Sequence, residues 1–582
     1  MQQPSGEVSR RQRLVRAGTA VILFAATAAM TLWQNTHQAV LWDLSYLLDS
    51  SDRMALGQVP YRDFPFVHAP ITFLTQALLV RLFGRVYWHH IAYAAIAGGV
   101  ATLLTWRLLA RLLAGRVRSA EPLAAVLCLA LVPLGIYSVY PHPIYDSDCV
   151  LWLLVALWLW MRADCAWTRW LAGVALVVPV LVKQNIGLPV LLVAGVLQVA
   201  LAVRRGRAGH SIREPLQVLG GIATASVASL GILQATVGLR NYYHWTIWFA
   251  AQRRLPGMGA MLAAYRQPLL LWSLPAALAC LLLLRGGQAA WRRAAVLYRA
   301  AALALLAAPW VYVAAQFVWL GDADDRADAL LSLWPHLLVL SAALAGWGLV
   351  CRPWSRRSLL VWLLLAAVHG TFLSQQLWGS TYAIWPLLVL LLALLLVQVP
   401  ELSWPLGVVA SLTLVVCGGS YALSEERLSY NHLEGAVQHA QLPALRGMAA
   451  PGPWVPRLEA LVRDTAHSIP PDATIVLLPG QDPFYYASGR VPHFPVLLLD
   501  RATNPYSPAE LAAAMQQGGV DWLIVNTQLQ LMEPPVADYD AYLHAAEAGL
   551  VLDHEVAGYQ IWRRPAEGHQ PGHFFPRYSP VN

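Results

Sequence analysis

The chain has 582 residues, of which 58% are hydrophobic and 12% charged, with a mean hydropathy of +0.50, which excludes a soluble enzyme and marks an integral membrane protein. Its net charge of +8 does not point to nucleic acid, because the arginines lie in short loops between apolar runs and form no basic face with interleaved aromatics. The six cysteines (Cys128, Cys149, Cys165, Cys280, Cys351 and Cys417) show no CxxC spacing, so neither a disulfide framework nor a thiolate metal site is suggested.

The N-terminus carries Arg10-Arg11-Gln12-Arg13 and then an apolar run from Leu14 to Trp33. A secretory signal has a similar outline, but this run is long and more spans follow, so the reading is a retained transmembrane helix with a cytoplasmic N-terminus. Further apolar windows are His90–Leu113, Pro122–Tyr140, Val150–Met161, Trp170–Val182, Leu188–Val203, Pro215–Val237, Pro268–Leu284, Ala300–Leu320, Pro335–Val350, Leu359–Leu373, Tyr382–Val397 and Leu406–Leu423. That predicts about thirteen spans, several of them short for a bilayer. An odd number places the segment after Leu423 opposite the N-terminus.

Charge agrees with this topology. Arg116, Arg118, Arg162, Arg169, Arg204, Arg205, Arg207, Arg285, Arg292, Arg293, Arg352, Arg356 and Arg357 fall in predicted cytoplasmic loops. Asp43, Asp49, Asp52, Asp63, Asp146, Asp148, Asp322, Asp324, Asp325 and Asp328 fall in outer ones. The segregation requires Ile71–Phe83 to lie at the outer interface rather than to span. One outer segment, Arg240–Arg266, breaks the pattern with Arg253 and Arg254 after Tyr242, Tyr243, His244, Trp245, Trp248 and Phe249. An interfacial helix and a rim contacting a lipid phosphate both account for it.

After Leu423 the composition turns more polar. Thr474–Leu478, Val496–Leu499 and Asp521–Val525 read as buried strands, and Pro508–Gln517 and Tyr539–Ala548 as helices. Val551–Val556 and Tyr559–Trp562 read as a hairpin around Gly558. The chain thus divides into a membrane body, 1–423, and an outer α/β domain, 424–582. It contains no GxGxxG and no Walker sequence, so the βα alternation is no evidence of nucleotide binding. The stretch from Glu567, rich in His and Pro, reads as an unstructured end.

Three polar sites stand out. Lys183 is the chain's one lysine, and it sits in an apolar stretch beside Gln184 and Asn185. A charge at a span's centre costs about 2.5–3.5 kcal/mol on insertion scales, so Lys183 points to a site for an anion at membrane depth, against the alternative of snorkelling to the headgroups. The first outer loop opens with Asp43 directly after a span and continues Gly57-Gln58-Val59-Pro60-Tyr61-Arg62-Asp63-Phe64-Pro65-Phe66-Val67-His68. An Asp there can pair with a proton, a metal or a hydroxyl, or cap a helix. The second outer loop, Tyr140-Pro141-His142-Pro143-Ile144-Tyr145-Asp146-Ser147-Asp148, holds two carboxylates that either share a divalent cation such as Mg²⁺ or Mn²⁺ or cap the next helix.

Together these pieces resemble the polytopic GT-C glycosyltransferases, in particular the protein O-mannosyltransferase, lipid A aminoarabinose transferase and Rgt-like branch. The matching positions are Asp43 at the end of the first span, Gly57, Pro60, Tyr61 and Asp63 in the loop, Pro70, Phe83 and Gly84 around the interfacial helix, Asp146 or Asp148, and Lys183. Many members of the family carry Asp-Glu at the first position, where this chain has Asp43-Leu44. The resemblance implies a helical bundle with an outer α/β domain in a bacterial inner membrane. It implies inverting transfer of a sugar from a polyprenyl-phosphate donor to an envelope glycan, lipid or protein. Asp43 would be the base, with Asp146 and Asp148 orienting the acceptor, the base or a metal. Lys183, Arg62, Arg253 and Arg254 would bind the donor phosphate, and Tyr61, Asp63, His68 and His142 the substrate. The competing classes are a lipid-linked sugar flippase and a non-catalytic subunit of a glycan machine. Flippases spread polar residues through several spans, whereas here the ionisable groups gather at the outer face.

Overall fold

A computed structural model describes residues 10–140, 142–254, 257–288, 291–321, 323–351, 354–373, 383–424, 428 and 430–565. Pro141, Asp322, Arg352, Tyr382 and the stretch from Glu567 lie outside the described residues, as do the side chains of Arg254 and Asp324. Each predicted span contains a helix. Eight helices are long and apolar enough to cross a membrane: Arg10–Asn35, Tyr87–Leu113, Gln184–Arg207, Arg213–Thr236, Pro268–Gln288, Arg292–Trp319, Asp325–Cys351 and Ser403–Leu423. The other windows give shorter helices, Ala120–Leu129, Tyr145–Met161, Ala166–Val177, Arg356–Thr371 and Trp385–Leu396. The chain is a multi-pass membrane protein. All six cysteines are free.

Two of the short helices depart from the sequence expectation. Pro122–Tyr140 is not one span. Its helix stops at Leu129, and the chain then winds through turns to Tyr140. Pro133 has no N–H to donate one turn back to Leu129, whose carbonyl takes the Val132 N–H at 3.1 Å instead. Gly135 packs so closely that a Cβ there would lie 2.6 Å from the Leu131 carbonyl oxygen. In the same way Pro179 tightens the end of Ala166–Val177 into a 3₁₀ turn, Val178–Leu181, before Lys183 starts the next helix. Irregular backbone at membrane depth survives where protein surrounds it, and residues 130–140 are almost wholly buried.

Outside the bundle, Leu41–Ala55 forms a helix that buries Leu41, Leu44 and Leu48 completely. Full burial of such a side chain contributes about 1.5–3 kcal/mol. An adjacent side packs Leu47 and Met54 against Phe64, Phe66 and Phe73. Ile71–Phe83 runs alongside and leaves Leu74, Leu78, Leu82 and Phe83 exposed as an apolar stripe.

The chain leaves the last span at Leu423 and forms the α/β domain. Six strands are present among the described residues: β1 Val437–His439, β2 Ala449–Pro451, β3 Ile475–Leu478, β4 Trp522–Asn526, β5 Val551–Val556 and β6 Tyr559–Arg563. β1 pairs antiparallel with β2; the main sheet runs β3-β4-β6-β5, with β3 and β4 parallel and the rest antiparallel. Ala557 and Gly558, both at positive φ, turn the β5–β6 hairpin. Val496–Leu499 is not a strand. Prolines 492 and 495 bring no N–H to a ladder, and their carbonyls accept from Gln58 Nε2 at 3.1 Å and Arg53 Nη1 at 2.8 Å. A helix the sequence reading did not anticipate, Trp454–Ser468, buries Val455, Leu458, Leu461 and Val462. This face joins Leu41, Leu44, Leu48, Val80, Tyr87 and Ile91 of the outer helices and bundle in one apolar core, which seats the domain on the body.

Candidate active site

Asp43 sits in the first turn of Leu41–Ala55, where a carboxylate suits the positive end of the helix dipole. No side chain from Val40 caps this helix. Its leading N–H groups are satisfied from far away: Val40 N–H donates to His142 Nε2 at 3.0 Å, and Leu41 N–H to Gln530 Oε1 at 2.8 Å. Gln530 also donates to the Ala39 carbonyl at 3.1 Å. His142 Nδ1 faces the Tyr87 hydroxyl at 3.3 Å, so both ring nitrogens are engaged in holding the helix start.

The Asp43 carboxylate is partly covered and opens on a narrow cleft lined by Tyr46, Leu47, Phe73, Tyr140, His142, Pro143, Ile144 and Tyr145. Tyr430 of the α/β domain donates to Asp43 Oδ2 at 2.8 Å, and Tyr140 lines the same cleft beside the carboxylate. Burial raises the Asp43 carboxyl above its ordinary value; the two tyrosines oppose this, and the charges of Asp500 and Asp146 add to it. Asp43, Asp146 and Asp500 therefore share one field.

The second outer loop sends its two acids apart. Asp146 forms an ion pair with Lys183, both side chains largely buried at 13% and 9% exposure. The Lys183 ammonium lies 5.2 Å from the centroid of the Tyr145 ring, a cation–π contact. Asp148 instead accepts from Thr72 at 2.7 Å, Tyr93 at 2.7 Å and Tyr137 at 2.6 Å. It thus ties the interfacial helix, the second span and the broken segment to its own helix. The two acids read as a shared cation site take separate protein partners. Among the described residues no three His, Cys, Asp or Glu side chains come together as metal ligands.

The first-loop motif folds a tight knot. Gly57 takes φ +97°, a left-handed value that suits glycine. Asp63 Oδ2 accepts the Val59 N–H at 2.7 Å, and its carboxylate holds the Arg62 guanidinium at 2.9 and 3.1 Å. Tyr61 is buried and donates to the His68 carbonyl at 2.5 Å. The His68 ring stacks on Tyr145, centroids 4.1 Å apart, and so reaches the cleft wall. Tyr61 and Asp63 shape the loop, and Arg62 stays about one-third exposed at its edge. Arg253 donates to the carbonyls of Arg501 at 3.1 Å and Asn504 at 2.9 Å and packs over Phe249 at 4.7 Å. It thereby joins the aromatic outer segment to the same loop that carries Asp500. That segment includes a π-helical stretch, His244–Phe249.

Asp43 and His142 thus line one cleft, while Lys183, paired with Asp146, and His68 lie against Tyr145 of its wall. Arg62, Arg253 and Asp148 make the contacts described above, and Gln184 and Asn185 fan away to Thr246 and Gly370. Sequence reading missed Tyr140, Tyr430, Gln530 and the three hydroxyls on Asp148. The interruption at Pro133 and Gly135 was a signal for Tyr137 and Tyr140. Tyr430 and Gln530 carry none, since they reach Asp43 and its helix only through the domain's docking.

No family model matches the sequence, and no curated protein matches it. Among solved structures, the chain is similar to ArnT from Cupriavidus metallidurans bound to undecaprenyl phosphate, at 13% identity over 97% of this chain and 100% of that one, with a TM-score of 0.47. It is also similar to the archaeal oligosaccharyltransferase AglB from Archaeoglobus fulgidus in complex with an inhibitory peptide and a dolichol-phosphate, at 12% identity over 97% of this chain and 76% of that one, with a TM-score of 0.46.

Proposed function

We propose that this chain is a GT-C type glycosyltransferase that moves a sugar from a polyprenyl-phosphate donor to an envelope acceptor at the outer face of a bacterial inner membrane. The reading is supported by three features in or against the wall of one cleft. A half-covered carboxylate, Asp43, has its proton affinity raised by burial. Aromatic walls, Tyr46, Phe73 and Tyr145, suit a sugar face. The buried cation Lys183 lies against Tyr145.

In this reading the acceptor hydroxyl gives its proton to Asp43, and its oxygen attacks the anomeric carbon. The bond from that carbon to the lipid-phosphate oxygen breaks, and the electron pair leaves with the phosphate. Attack opposite the leaving group inverts the centre. Lys183 stabilises the charge that grows on the departing phosphate, exchanging part of its pairing with Asp146 for the phosphate oxygens. Arg62 and Arg253 add positive potential at the rim.

The test uses the purified full chain in detergent with radiolabelled polyprenyl-phosphate hexoses and pentoses and an envelope extract. The expected result is transfer or donor hydrolysis by wild type, with Asp43→Asn at least about a hundredfold slower, as for loss of a general base. Equal rates in the two proteins would remove Asp43 from the mechanism. Lipid movement in vesicles without donor consumption would replace the enzyme by the flippase reading.

A further inference from the structure

The far end of the bundle carries a second feature, independent of the cleft. Helices Arg10–Asn35 and Tyr87–Leu113 pack antiparallel, with Phe24 against Gly99 and Thr31 against Gly98. Toward the arginine-rich end they leave an open groove of about 300 Å³ lined by Arg16, Ala17, Ala20, Leu103, Trp106 and Arg107. Both arginines stand about 9 Å inside the ends of their helices at 1.5 Å per residue.

The two guanidinium groups differ. Arg16 is held by Glu121 through Nε and Nη2, both at 2.7 Å, so it is fixed in place and its charge is balanced. Arg107 is exposed, lies 5.5 Å from the Trp106 ring centroid, and has no carboxylate partner among the described residues. Trp106 is 3% exposed, and its indole N–H, a donor only, meets no acceptor among the described residues. A buried donor left without an acceptor is unfavourable. The groove thus combines an apolar floor, a surplus cation and a residue with an unmet N–H near the arginine-rich ends of two spans.

We propose that this groove binds an anionic phospholipid, whose phosphate oxygens accept from Arg107 and the Trp106 indole while an acyl chain lies along Ala17, Ala20 and Leu103. Basic pockets between spans that recognise lipid headgroups have this composition. Arg10, Arg11 and Arg13, at the start of the same helix, add attraction for an anionic leaflet.

Native mass spectrometry of the full chain released from detergent, titrated with phosphatidylglycerol or with phosphatidylcholine of the same acyl chains, tests this. Wild type should retain one phosphatidylglycerol at least about fivefold more strongly than phosphatidylcholine, the effect of about one near-surface arginine. Arg107→Gln and Trp106→Phe should each lower that retention several-fold. Arg293→Gln, an exposed arginine on a different helix, should leave it unchanged. Equal retention of the two lipids overturns the proposal. So does an equal loss in Arg293→Gln and Arg107→Gln, which would mean diffuse charge attraction. Retention of inorganic phosphate without lipid preference would assign the groove to a free anion and overturn it too.

Discussion

Two parts of the helical body obey different rules. Arg213–Thr236 and Arg292–Trp319 are long, simple spans, with 17% and 22% of their apolar windows buried inside the protein. Their sides face lipid, and neither supplies a charged side chain to the cleft. The part from Leu41 to Lys183 is the reverse. Apart from Tyr87–Leu113, whose window is 67% buried, its helices are short or interrupted, and carboxylates, hydroxyls and imidazoles interlock in its interior. The contrast teaches where this fold can hold chemistry. Backbone and side chains leave regular geometry only where neighbouring protein replaces the hydrogen bonds that lipid cannot give.

The comparison can be broken first at the Lys183–Asp146 pair. Lys183→Met should abolish measurable transfer and lower stability by about 3–5 kcal/mol, because it strands a largely buried carboxylate. Adding Asp146→Asn should restore much of the thermal stability in detergent without restoring transfer. If the double variant is as active as wild type, the cation has no part in the reaction. Next in size, Asp148→Ala orphans the Thr72, Tyr93 and Tyr137 hydroxyls together. A loss of about 3 kcal/mol is expected, read as a lower unfolding temperature, while Tyr137→Phe alone should lose only about 1 kcal/mol. Similar melting of Asp148→Ala and wild type would show that the irregular part does not rest on this clamp.

Tyr430→Phe should act more gently and through pH. Asp43 must be ionised to accept a proton, so activity falls as pH drops through its raised pKa. Tyr430 donates to the carboxylate and favours its charged form; removing it raises the pKa further. The acid limb of the rate–pH profile should move to higher pH, with at most about a tenfold loss at the optimum. An unmoved limb would separate Tyr430 from Asp43 in function. Smallest of all, Val227→Ala, on the lipid side of Arg213–Thr236 and 71% exposed, should change stability by no more than about 0.5 kcal/mol. A large effect there would mean that this span, too, is packed against something.

The sequence by itself determined the positions of the apolar windows, each of which holds a helix, and several elements of the outer domain. Pro508–Gln517 and Val551–Val556 keep the bounds read from period and turn residues, because caps and alternation are local signals. It also marked Asp43, Asp146, Asp148 and Lys183 as unusual, since charge beside an apolar run is costly wherever it occurs. Tertiary structure alone decided what each of these does. Asp146 and Asp148 are two residues apart, yet one meets a cation and the other three hydroxyls, because their side chains leave a helix in different directions. The start of Asp43's helix is held by His142 and Gln530, and its carboxylate by Tyr430; the last two come from a domain hundreds of residues away. Such contacts depend on how helices and domain pack, and no period or spacing in the chain encodes them.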